Sequence, residues 1–274
     1  MKIENYARLV LGICVVFIGC TGGRMKDTEE MDLHTVPVNN SELEKLSQKT
    51  IFFGHQSVGF NILEGISEII GEHKNVNLKI VESKEIGSKK QFYHFRIGKN
   101  GDPAFKMQDF ADMLDGGIGR QADIAFLKLC YIDFWFNTNV EEVFQKYRQT
   151  MERLQDSYPN VLFVHFTAPL TVRENGVKTL IKGMIGRPRW GYEDNLIREK
   201  FNRLMRDEYG QTGLVFDIAR LESTLPDGSR LEYKLNDQEY FALVPEYTSD
   251  GGHLNETGRR IIANNLLHFL ASIE

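Results

Sequence analysis

Two short segments carry the residue types of nucleophilic catalysis. In IFFGHQSVGFN (51–61) an apolar run passes through a tight turn into a helical pattern, with Ser57 at the junction. In YTSDGGHLNETGRRI (247–261), Asp250 precedes His253 by three positions across two glycines, just ahead of the last apolar-periodic segment. A serine hydroxyl attacks a carbonyl only if a base takes its proton, and an imidazole base needs a carboxylate on its other nitrogen to hold the tautomer and stabilise the imidazolium. A serine at a strand-to-helix junction also has free helical N–H groups and the positive end of the helix dipole beside it, which suit a developing oxyanion. Gly251 and Gly252 permit the sharp fold that brings Asp250 to His253. Ordinary roles exist for the same residues: serine is a favoured helix N-cap, Asn255 can cap the last helix, and Asp-Gly-Gly is turn chemistry. The spacing is not the G-x-S-x-G elbow, because Gly54 lies three residues before Ser57 and Gly59 two after.

Elements that position these residues are legible as apolar runs. Ile51 to Phe53, Leu78 to Val81, Ile124 to Leu129, Val161 to Phe166 and Leu214 to Phe216 read as five short strands, alternating with helical patterns. That alternation predicts an α/β fold with a mainly parallel sheet. One helix starts just after Ser57. A second is marked by Val140, Val143, Phe144, Tyr147, Met151, Leu154 and Tyr158, with Asn139 and Glu142 at capping-box spacing. Ile197, Phe201, Leu204 and Met205 mark a third, and Ile262, Leu266, Phe269, Leu270 and Ile273 the last. Ligands of open α/β sheets bind beyond the carboxyl ends of the strands, where Ser57 falls. The connections 85–105, 169–192 and 222–249 are long for simple loops, and long loops tend to carry function.

The chain has 274 residues, 42% hydrophobic and 26% charged, which fits one globular domain. Its net charge of −5 argues against a nucleic-acid partner, since such affinity comes largely from phosphate neutralisation. Three cysteines cannot build a disulfide scaffold. The run Leu9 to Gly19 is shorter than the roughly 20 residues of a membrane-spanning helix. Preceded by Lys2 and Arg8 and followed at once by Cys20, it reads as a secretory signal. Its ending FIGC resembles a bacterial lipobox, with Phe17 in the usual leucine place, and so implies lipidation of Cys20. The expected organisation is a signal over 1–19, a lipidated cysteine and flexible tether over 20–48, and a domain over 49–274. An exported, membrane-anchored envelope protein follows from it.

Ser57 at the end of the first strand, together with Asp-x-x-His followed by Leu254, Asn255 and Gly258, resembles the SGNH (GDSL-like) hydrolases. These are esterases and lipases on a flavodoxin-like three-layer α/β/α fold. DGGHLNETG is the better match, while Gly54-His55-Gln56-Ser57 stands where the family has Gly-Asp-Ser, so the chain looks like a divergent member. The resemblance spans roughly 49–274 and implies Ser57 as nucleophile, His253 as general base and then acid, and Asp250 as the orienting acid. It also implies an oxyanion hole made by the Ser57 N–H, a glycine N–H from a second block and an asparagine side chain from a third. RIGKNGDPAF offers Gly98 and Gly101 for the second block, and the NGD turn favours Gly101. For the third block, ADIAFLKLC runs into Tyr131-Ile132-Asp133 where Gly-x-Asn-Asp is the family pattern. Asn100 is the expected replacement donor, with Lys128 or Tyr131 as alternatives.

Several neighbours of these blocks suit substrate contact: His55 beside the serine, Lys128 and Tyr131 at the strand end, and Arg189 and Trp190 in RPRWGY (187–192). Aromatic faces with polar edges suit stacking on sugar rings, and Arg173, Arg187 and Arg189 suit carboxylates or phosphates. Cys130, ending an apolar strand, reads as a buried small hydrophobe. The seven histidines show neither H-x-H nor H-E-x-x-H spacing, so no metal and no cofactor is expected. The expected function is an esterase removing acetyl or other acyl groups from a carbohydrate or other small ester. The rivals are a carbohydrate O-acyltransferase with the same triad and an inactive lipid-anchored glycan-binding protein.

Overall fold

The central strands are apolar on both faces, as strands covered by helices on two sides must be. Ile51 and Phe53 point into one buried cluster and Phe52 into the other; Ile124 and Phe126 oppose Ala125 and Leu127 in the same way. A computed structural model of the chain describes residues 36–273. The expected signal and Cys20 lie outside the described residues. The elements are α1 (Asn40–Ser47), β1 (Ile51–His55), α2 (Ser57–Glu72), β2 (Ile80–Glu82), β3 (Phe92–Arg96), α3 (Pro103–Asp115), β4 (Ile124–Leu127), α4 (Val140–Ser157), β5 (Leu162–Phe166), α5 (Val177–Met184), α6 (Glu193–Tyr209), β6 (Val215–Phe216), α7 (Ile218–Ser223), β7 (Glu232–Leu235), β8 (Gln238–Phe241) and α8 (Glu256–Ser272).

The main sheet has six strands in the order β2-β3-β1-β4-β5-β6, all parallel. The sequence predicts five. The additional strand is β3, within the stretch expected to be a long connection, and it pairs Ile51 with Phe92 through His55 with Arg96. A second difference is the antiparallel hairpin β7–β8 inside 222–249. Its turn residues Asn236 and Asp237 have φ of 49° and 61°, the positive values that a tight hairpin turn needs. A third concerns the tether expected over 20–48. Val38, Leu43 and Leu46 are buried in the same cluster as α2 and α8, so the folded unit begins before residue 49.

Helices α2 and α8 cover one face, and α3, α4 and α6 the other, giving the expected three-layer α/β/α arrangement. On the α2 face, Phe53, Phe126, Phe166 and Phe216 form a ladder across β1, β4, β5 and β6, with centroid spacings of 4.7, 5.1 and 4.9 Å. Each such buried phenylalanine contributes about 1.5–3 kcal/mol. The ladder fixes the strand ends above it. The chain winds from β1 towards β3 on one side and β4 on the other, so the crevice where the order reverses lies at the carboxyl ends of β1 and β4. Ser57 follows the first of these strands and Lys128 the second.

Candidate active site

Ser57 is the first residue of α2, and the N-cap is Gln56 rather than the serine. In that place its N–H has no acceptor within the helix and its hydroxyl is not spent on capping. Gly59 allows the turn to close: a Cβ there would lie 2.3 Å from the Cβ of His55, so no other residue fits without displacing β1 or α2. The Ser57 Oγ lies 2.9 Å from His253 Nε2, and His253 Nδ1 lies 2.6 Å from Asp250 Oδ2. These three side chains, drawn from opposite ends of the chain, form one continuous hydrogen-bonded relay. Imidazole Nδ1 donates to the carboxylate, so Nε2 is the nitrogen that accepts from Ser57.

The loop carrying Asp250 and His253 is braced from within. Thr248 Oγ1 donates to the His253 carbonyl at 2.6 Å and accepts from the Gly251 N–H at 3.0 Å. Asp250 Oδ1 accepts the N–H groups of Gly252 and His253 at 3.0 and 2.8 Å. Burial alone would raise the Asp250 pKa, but the N–H and ring hydrogen bonds from His253 and the N–H of Gly252 outweigh it and hold the carboxyl down to about 2. The carboxylate is therefore ionised throughout the range in which an imidazole can act as a base. Gly251 sits at φ 91°, a conformation that glycine adopts without strain. Tyr131 packs on the same loop, its ring 2.9 Å from where a Cβ of Gly252 would be and edge-to-face with His253 at 5.8 Å.

The second and third blocks are tied to each other by charges the sequence reading missed. Lys106 and Asp133 form a fully buried ion pair at 2.7 Å. Asp133 also accepts the N–H groups of Gly101 at 2.9 Å and Cys130 at 2.7 Å. Gly101, expected to offer its N–H to an oxyanion, instead donates it to this carboxylate. Gly98, the other glycine considered, donates its N–H to Asp109 at 2.6 Å. Asn100 Oδ1 accepts from Lys106 Nζ at 3.0 Å, which fixes the amide with its Nδ2 available to donate. Gln56, the extra residue of the first block, donates to the carbonyls of Ile97 and Gly98 at 2.7 and 3.1 Å and so latches the second block to the start of α2.

Three expected substrate contacts are engaged within the protein, two of them fully buried. His55 is fully buried; its Nδ1 lies 2.8 Å from the Gln56 carbonyl and its Nε2 3.0 Å from His94 Nδ1. Burial, offset in part by the Gln56 carbonyl, lowers its pKa to about 3, with the His94, Lys128 and Arg96 charges acting in the same direction. A neutral His55 donates from Nδ1 to the carbonyl, which can only accept, and receives the His94 hydrogen on Nε2. Lys128 is also fully buried, its ammonium donating to the Leu129 carbonyl at 3.2 Å, with Cys130 Sγ at 3.8 Å. Cys130 is buried with it. Arg189 is held by Glu193 at 2.8 Å and stacked 4.2 Å above the Tyr192 ring. Arg173 lies 4.2 and 4.3 Å over the rings of Tyr192 and Tyr233. Trp190 does reach the site, edge-to-face with Tyr131 at 6.1 Å.

Behind Tyr131 stands Arg198, entirely buried, donating to the Tyr131 carbonyl at 3.0 Å, Thr171 Oγ1 at 2.9 Å and Asn195 Oδ1 at 2.6 Å. The signal for it was present in the sequence: Asn195, Arg198 and Asn202 recur at helical spacing on the inward side of α6, where apolar residues are the rule. Glu222 of α7 is equally buried and accepts the Leu170 N–H at 2.6 Å. Burial raises its pKa to about 8 against the Leu170 hydrogen bond and the Lys128 and Arg198 charges. A carboxyl raised in the folded state contributes stability that is complete below its unfolded value, near 4.5, and lost as pH rises through about 8. The difference in urea-unfolding stability between wild type and Glu222→Gln is expected to shift against the wild type as pH rises from 5 to about 8; parallel pH profiles for the two proteins would contradict it.

No family model matches the chain, and no curated protein matches it. Its path is similar to that of a Streptococcus pneumoniae protein described as a platelet activating factor, at 15% identity, over 84% of this chain and 90% of that one, with a TM-score of 0.49. It is similar also to the periplasmic domain of a lipopolysaccharide acetyltransferase from Salmonella Paratyphi A, at 13% identity over 85% and 90% of the two chains, with a TM-score of 0.47. A lipolytic protein assigned to the G-D-S-L family from Desulfitobacterium hafniense matches at 9% identity over 81% and 99%, with a TM-score of 0.43. These likenesses concern the path of the chain; the chemistry of the site rests on its side-chain geometry.

Proposed function

We propose that this chain is a serine esterase of SGNH type that removes acetyl or other acyl groups from a carbohydrate. The observation that carries the reading is the relay Asp250, His253, Ser57, with spacings of 2.6 and 2.9 Å at the switch point of a parallel sheet. Ser57 Oγ attacks the ester carbonyl while His253 Nε2 takes its proton, giving a tetrahedral oxyanion beside the N-terminus of α2. The C–O bond to the sugar then breaks and His253 returns the proton to the departing oxygen. Water repeats the sequence on the acyl-enzyme, with His253 first as base and then as acid, releasing the carboxylic acid and the serine. Tyr131, beside His253, and Trp190, beside Tyr131, are aromatic rings of the kind that stack on a sugar. An exported protein tethered through lipidated Cys20 would meet such glycans at the cell envelope.

The Ser57 N–H is one oxyanion donor, and Asn100 Nδ2, held in place through Lys106, is the second. Asn100→Ala is expected to lower kcat by about 10²- to 10³-fold with little change in KM. Steady-state hydrolysis of p-nitrophenyl acetate measures this, and an unchanged kcat would remove Asn100 from the hole. The function itself is tested with p-nitrophenyl acetate and acetylated glycans, using the protein beside Ser57→Ala. Release of acetate by the former alone supports the esterase, whereas equal rates would sink the serine mechanism. Acyl transfer to an added sugar in place of release would make the enzyme a transferase.

A further inference from the structure

Helix α5 is built the wrong way round for a surface helix. Val177, Leu180, Ile181, Met184 and Ile185 recur at spacings of three, four, seven and eight, which places them on one side of a helix. An amphipathic surface helix buries such a stripe. In α5 the stripe faces outward, with Val177 72%, Leu180 67% and Met184 86% exposed, and the buried position is Thr179 on the opposite side. Gly183, on that opposite side too, lies against Arg189, where a Cβ would come within 3.0 Å of the guanidinium.

The charges carried by the stripe's own segment are of one sign. From Val177 to Arg189 the chain has Lys178, Lys182, Arg187 and Arg189 and no acidic residue, in a protein whose net charge is −5. Lys182 is paired with Glu174 and Arg189 with Glu193, while Lys178 and Arg187 form no ion pair among the described residues. An exposed apolar stripe flanked by uncompensated cations is the composition of a helix that lies in the headgroup region of a negatively charged bilayer. A second copy fits less well. Five partly exposed side chains of one short helix fall short of the about 800 Å² per partner of a stable protein interface.

We propose that α5 docks this domain on an anionic lipid surface. The inference goes beyond the esterase reading and does not depend on it. It has a positional consequence, because the excursion carrying α5 is closed at its base next to the relay. The Glu174 N–H donates to the Trp190 carbonyl at 3.1 Å, and the Val172 N–H donates to the carbonyl of Gly251, inside the loop of Asp250 and His253, at 2.9 Å. The segment that α5 would hold at a bilayer is thus tied by backbone hydrogen bonds to the loop of Asp250 and His253.

The test uses the full chain with Met184→Trp, so that the added fluorescence reports α5 and not the N-terminal segment; emission of the unsubstituted protein, which contains Trp135 and Trp190, is subtracted. With vesicles of phosphatidylcholine and phosphatidylglycerol, the added emission is expected to shift to the blue and to be quenched by brominated lipid. In Lys178→Glu/Arg187→Glu most of that quenching is expected to disappear, with the thermal midpoint unchanged. Absence of any vesicle effect would overturn the proposal. Equal quenching in vesicles of phosphatidylcholine alone would overturn the anionic requirement. Emission already blue without vesicles and indifferent to them would show the stripe covered by the N-terminal segment or a second copy, which also overturns it.

Discussion

Ser57→Ala is expected to reduce ester hydrolysis by about 10⁴- to 10⁶-fold while leaving stability within about 0.5 kcal/mol. Both halves follow from where the serine sits. Its hydroxyl has His253 as partner at 2.9 Å, and the cap of α2 is the backbone of Gln56. Removing the oxygen deletes the nucleophile and takes away no helix cap. His253→Ala is expected to cost a similar factor, and the double variant little more, because the relay acts as a unit. Asp250→Asn is expected to cost about 10⁴-fold by favouring the wrong imidazole tautomer. Steady-state rates on p-nitrophenyl acetate check the series, and urea unfolding checks that each variant is folded. Additive losses, or a Ser57→Ala protein that keeps its rate, would dismiss the relay as a structural network.

The relay residues were legible in the sequence because each lies in a short-range signal: a serine between an apolar run and a helical pattern, and Asp-x-x-His across two glycines. What surrounds them was not, because it depends on pairs distant in sequence. His94 occupies a buried strand position that a sequence reading assigns to an apolar residue. Its partner, His55, lies on the neighbouring strand, and the charged Arg96 at the end of β3 hides the strand further. Gly101 sits in a turn suited to an oxyanion hole, yet the acceptor that claims its N–H, Asp133, is 32 residues away. Lys128 reads as a strand-end lysine suited to a ligand; it is fully buried, and its ammonium is spent on the Leu129 carbonyl of its own chain segment. The polar pattern before residue 49 reads as a tether, although α1 carries two leucines spaced to meet α8.

Lys106→Met is expected to destabilise the protein by about 3–5 kcal/mol, since it leaves Asp133 as an unpaired buried charge. In many proteins replacing both members of a buried pair with apolar residues recovers the loss. Recovery should be incomplete here. Asp133 also accepts the N–H groups of Gly101 and Cys130, and Lys106→Met/Asp133→Leu orphans both at about 1–3 kcal/mol each. The ordering in urea unfolding should therefore be wild type first, with both variants well below it. A double variant as stable as the wild type would reduce Asp133 to the role of counter-ion. Catalysis offers the second readout. Lys106 Nζ holds Asn100 Oδ1 at 3.0 Å, so the Lys106→Met protein that is still folded should lose kcat to the extent that Asn100→Ala does, with KM preserved. If it unfolds more easily but turns over normally while folded, the buried pair serves the fold alone, and the amide of Asn100 does not depend on it.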